Sequence, residues 1–132
     1  MHPKDFRVNE AWLAFRANSV PLRTPEGEFD VFVLVDAASM YIFGHAFAAV
    51  GAEAPTDEDA AALLRSGWQR KQQWPERLIL TGKPSAENGF CRAAERNGIP
   101  VVAVAAKELR VYTSDIRSGF AEHFGGEENG TA

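Results

Sequence analysis

The chain has 132 residues, 45% hydrophobic and 24% charged, which is enough apolar material for one globular domain with a real core. Its formal charge of −4, from 14 basic and 18 acidic side chains, argues against a dedicated nucleic-acid binder, which normally carries a basic stripe to neutralise phosphates. A single cysteine, Cys91, excludes an internal disulfide and a multi-cysteine metal cluster; the apolar runs are too short for a membrane span or a signal peptide, so a soluble, cytoplasmic protein is expected.

Residues 1–7 and the tail 125–132, "GGEENGTA", are expected to be flexible ends around a single domain over 8–124. "EAWLAFRAN" after Asn9 fits either a short helix capped by Asn9 or a strand with Ala11, Leu13 and Phe15 on one face. "TPEG" at 24–27 is a proline–glycine turn signal. Phe29–Val35, rich in valine and phenylalanine, fits a strand covered on both faces; Asp36 ends it, "DAAS" turns, and Met40–Phe47 is the next strand.

"TDED" is a capping box, with Thr56 at the cap, Asp59 three residues on, and three acids at the positive end of the helix dipole. Ala60, Leu64 and Trp68 follow at helical spacing, and the helix is expected to reach about Gln73, ahead of Pro75. Gly67 inside it costs ~1 kcal/mol against alanine, which packing must offset. "RLILTG" is a short strand; Ser85 is expected to cap a second helix that turns Phe90, Cys91 and Ala94 inward and ends at Gly98. "VVAVA" from Val101 is expected to be a buried strand. A final helix is expected from Ser114, with Ile116, Phe120 and Phe124 in one apolar stripe.

The order strand, strand, strand, helix, strand, helix, strand, helix predicts an α/β fold. Its mixed five-stranded sheet has three antiparallel strands, then helix-linked parallel strands, with helices on the faces. In that order, "WLAF", "TPEGEFDVFVLVDAASMYIFGHAF" and "WPERLILTGKPSAENGFCRAAERNGIPV" resemble the ribonuclease H-like catalytic core of retroviral-type integrases and insertion-sequence transposases. The likeness runs from about Glu10 to Val104, and more weakly to Phe124, and rests on order and spacing together. It implies three carboxylates holding two divalent metal ions that activate the attacking oxygen and stabilise the leaving one. Against that pattern the first acid falls near Phe15 and the second near Gly82, and Glu122 in "FAEHF" occupies the third position. Phenylalanine and glycine offer no oxygen ligand to magnesium. Asp36 matches a non-catalytic aspartate of the family and reads as a turn initiator, while Asp30, Glu108 and Asp115 have nothing in the sequence to bring them beside Glu122.

The resemblance therefore implies a pseudoenzyme, without metal or cofactor, that binds or scaffolds with a protein partner, a second copy in a homodimer, or a nucleic acid. A metal-dependent nuclease or phosphoryl-transfer enzyme, using magnesium on relocated carboxylates at Asp36 and Glu122, is the rival. A third reading is a small-anion or nucleotide site at Thr81, Lys83 and Ser85. "TGKPS" lacks the glycine of a phosphate loop, since Arg77 stands five residues before Gly82, but strand ends and helix starts gather anions. No Gly-x-Ser-x-Gly elbow is present. His45 reads as structural, and Trp12, Trp68 and Trp74 as core and rim packing.

Overall fold

Residues 10–17, ambiguous in sequence, form a strand, β1 (Ala11–Arg16), buried at every position but Arg16. Asn9 does not start a helix. Its backbone is left-handed (φ 65°), its N–H donates to the Asp36 carboxylate at 2.8 Å, and its side-chain oxygen accepts the Trp12 indole N–H at 2.7 Å. That bond satisfies the one polar atom of a fully buried tryptophan, and with it the strand is fixed in the centre of the molecule.

A computed structural model describes residues 1–120. After β1 come β2 (Leu22–Thr24), β3 (Gly27–Asp36), β4 (Ile42–Ala49), α1 (Asp57–Lys71), β5 (Arg77–Thr81), α2 (Gly89–Arg96), β6 (Val101–Val104) and α3 (Arg110–Phe120). Short 3-10 turns lie at Pro3–Asp5 and Ala106–Leu109. β3 pairs antiparallel with β1 and β2 along one edge and with β4 along the other; β1 pairs parallel with β5, and β5 with β6. Among the described residues the sheet thus has six strands, not five. The added strand, β2, is only three residues long and follows Pro21, too short for any period to show; the Pro25–Glu26 turn folds it onto the start of β3.

Alternation along the strands sends Trp12, Leu34, Leu78 and Leu80 to one face, where Leu63 and Leu64 of α1 and Phe90 and Ala94 of α2 cover them. Leu13, Phe15, Val33, Val35 and Ile79 point to the other face, under Leu109, Tyr112 and Ile116. Phe6 packs against this second layer, and the Arg77 guanidinium lies over its ring at 5.6 Å.

Three expectations need correction. Ser85 does not cap α2; Asn88 does, its side-chain oxygen accepting the N–H groups of Phe90 and Cys91. Gly89, the first residue of the helix, passes so close to the Pro55 carbonyl that a Cβ would stand 2.5 Å from it. β6 is not buried: it is the sheet's edge strand, with Val102 and Ala103 exposed. The last helix begins at Arg110 rather than Ser114, so its inward stripe is Leu109, Tyr112 and Ile116; the Phe120 side chain and Phe124 lie outside the described residues. α1 starts at its expected cap, with the Thr56 hydroxyl accepting from the Asp59 N–H, the one half of the capping box that forms. It ends at Lys71 by a left-handed Gln72.

Candidate functional site

β1 is where the sheet changes direction of growth: β3 and β4 extend from one side of it, β5 and β6 from the other. Open α/β sheets collect ligands at the carboxyl ends of the strands around such a point. Here β1 and β5 pair only from Ala11–Leu13 to Arg77–Ile79, and past that register they part as β1 continues toward β2. The gap is a cleft of about 280 Å³.

Its floor is apolar, with Phe15, Leu80 and Phe90. Polar groups stand on the walls: Arg16 at the end of β1, Thr81 at the end of β5, Glu53 and Asn88 beside α2, and Thr113 and Arg117 one turn apart on α3. The Arg117 guanidinium donates from Nε and Nη2 to the Arg16 carbonyl, at 3.3 and 3.0 Å. Burial, and then the Arg16 charge, hold its pKa below the usual arginine value. Arg16 leans toward the buried Asp30 at 3.8 Å. Glu53 Oε2 accepts from the Asn88 amide at 2.6 Å and from the Ser85 N–H and hydroxyl at 2.9 and 3.3 Å. The Asn88 bond, followed by the Ser85 N–H, keeps this carboxyl below the ordinary range. Cys91 is raised, first by burial and then by Glu53, which disfavours a reactive thiolate.

Of the residues singled out from sequence, Thr81 lines the cleft; Ser85 touches its rim through Glu53, and the exposed Lys83 is not in the lining. Asp36 is elsewhere. It is fully buried across from Trp12, at the end of the sheet opposite Arg16, and accepts from Asn9 N–H and from the N–H and hydroxyl of Ser39. Asp30 is likewise committed, to Asn18 and the Gly51 N–H. Glu108 and Asp115 are exposed, and Glu122 lies outside the described residues. Among the described residues no three of His, Cys, Asp and Glu are grouped as a metal site would need. The sequence reading missed Arg16, Glu53, Asn88, Thr113 and Arg117; the one available signal was the four-residue spacing of Thr113 and Arg117, which also describes an ordinary solvated helix face.

No family model matches the chain, and no curated protein matches it. Solved structures do. One is a chain of the cryo-electron-microscopy structure of the simian T-cell lymphotropic virus intasome in complex with the PP2A regulatory subunit B56 gamma, with a TM-score of 0.52 at 16% identity. The match covers 87% of this chain and 43% of that one, so this chain spans less than half of its neighbour's length. At such identity the likeness is one of fold. No helix among the described residues is long and apolar enough to cross a membrane.

Proposed function

We propose that the chain is a ribonuclease H-like domain of the integrase and transposase core type that binds without cutting. The kinship is supported by the strand order β4-β3-β1-β5-β6, with β1 antiparallel to β3 and parallel to β5 and β6, and by the fold likeness to the intasome chain. Binding rather than cutting rests on one observation: the side chains at the carboxyl ends of β1 and β5. Where the resemblance expects the first acid there is the buried ring of Phe15, Gly82 stands at the second, and α3 presents Arg117 to the same cleft. Magnesium takes hard anionic oxygens, usually one or two carboxylates with waters. Among the described residues the cleft offers one carboxylate, Glu53, already accepting three hydrogen bonds, beside two guanidiniums. That set does not fit a pair of divalent cations.

The role is then scaffolding or binding in the cytoplasm, where a lone thiol such as Cys91 stays reduced. A protein partner or a second copy fits the −4 charge better than a nucleic acid does. The test is incubation of the purified domain with single- and double-stranded DNA and RNA in magnesium or manganese. No cleavage above background is expected. Metal-dependent cleavage lost in Asp36→Ala or Glu122→Ala, at unchanged stability, would establish the nuclease reading instead. Asp36→Ala is expected to act on folding, by about 2–3 kcal/mol, because the Asn9 and Ser39 donors lose their buried acceptor.

A further inference from the structure

We propose that the cleft between β1 and β5 is an oxyanion site in which Arg117, with Arg16 beside it, holds a phosphate-sized group without a metal. Arg117 Nε and Nη2 are anchored on the Arg16 carbonyl, which fixes the plane of the guanidinium against the end of β1 and leaves Nη1 uncommitted to that bond. Among the described residues no carboxylate lies within ion-pair distance of Arg117. Its charged neighbour is another arginine, and the like charge is felt. Among the described residues Arg16 has a counter-ion only in Asp30, at 3.8 Å, beyond hydrogen-bond range, and Asp30 is already bonded to Asn18 and Gly51. Glu53, the lining's own carboxylate, is drawn toward α2 by Ser85 and Asn88.

Arg16 and Arg117 both line the cleft, and the like charge of Arg16 acts on Arg117; among the described residues their one ion-pair partner is Asp30, at 3.8 Å from Arg16. An oxyanion in the cleft offsets that like charge with charge-assisted hydrogen bonds, for which the planar arginine fork is well shaped. The Thr81 and Thr113 hydroxyls on the facing walls add donors. A free phosphate and the phosphate of a nucleotide share this chemistry.

The inference rests on reading the cleft as a binding site, and its test is kept apart from cleavage by working in EDTA. Inorganic phosphate, and separately adenosine monophosphate, are titrated into 15N-labelled protein, with ionic strength held constant by chloride. Saturable amide shifts centred on Arg16, Thr81 and Arg117 are expected, with affinity falling at least tenfold in Arg117→Gln and less in Arg117→Lys. A tighter monophosphate marks a nucleotide as the source, and equal affinities a free oxyanion. Phosphate acting no more strongly than chloride, or shifts gathered away from the cleft, overturns the proposal, as does unchanged affinity in Arg117→Gln. Should that variant not fold, Arg16→Gln replaces it under the same criteria. Cleavage in manganese with no phosphate binding in EDTA would sink this site and the non-cutting reading together; phosphate binding alongside cleavage would sink only the latter.

Discussion

Tyr112 is fully buried, and its hydroxyl donates to the Ala37 carbonyl at 2.8 Å, tying α3 to the turn after β3. Burial, followed by the Asp5 and Asp36 carboxylates, pushes its pKa up to about 12. An unfolded chain releases this proton near pH 10. Between the two values the folded state holds more protons than the unfolded one, so stability falls as pH rises; below pH 10 the contribution is whole. Tyr112→Phe is therefore expected to be less stable than the parent at pH 7, by about 1–2 kcal/mol for the lost bond and the stranded carbonyl. The gap should close between about pH 10 and 12, as read by urea unfolding across a pH series. A gap that stays constant over that range would refute the assignment. Single residues differ in how legible they are. Asp36 caps the turn it precedes, and turn chemistry is written in neighbouring residues. Arg16 and Arg117 are 101 positions apart, and each sits where a pattern reads only solvent: one after the last apolar position of a strand, the other on the polar side of a helix.

Elements are legible to the degree that their signals are local. α1 carries its cap, its acidic first turn and its apolar spacing within one stretch, and it forms with the Thr56 cap and with Ala60 and Leu64 inward, although Trp68 is exposed and the helix stops at Lys71. β6 has a composition equally suited to the centre or the edge of a sheet, and only strand order decides that it is the edge. α2 is expected from its sequence to start at Ser85, but the Ser85 N–H and hydroxyl are taken by Glu53, far along the chain, and Asn88 caps the helix instead. Gly67 shows the same division inside α1. Alanine there would favour the helix by about 1 kcal/mol. A Cβ would nevertheless stand 2.7 and 2.8 Å from the Trp12 ring and 3.2 Å from Leu34. The ring cannot retreat without breaking its bond to Asn9. Gly67→Ala is expected to lose about 1–3 kcal/mol net, the usual range for an overpacked core. A melting temperature equal to or above that of the parent would mean that the ring has room to move.

At the scale of the whole molecule, the sequence showed the order of elements and the mixed sheet, because each helix between strands dictates a parallel crossover. It did not show where β1 and β5 diverge, since that depends on how far two strands stay in register before one turns away toward β2. Strand order also sets how stability is distributed. β1 has β3 on one side and β5 on the other, with a core layer over each face. Among the described residues β6 has a neighbour on one side only, and Val102 is 39% exposed. Local opening at such an edge exposes little apolar surface, whereas β1 cannot open without taking both layers apart. Native-state hydrogen exchange should therefore find the slowest amides in β1 and in the parts of β3 and β5 that pair with it, near the free energy of global unfolding. The β6 amides bonded to β5 should exchange at least about tenfold faster. Equal protection of β6 and β1 would require a covering that the described residues do not supply, and would displace β1 as the strand on which both layers, and the cleft at its end, are built.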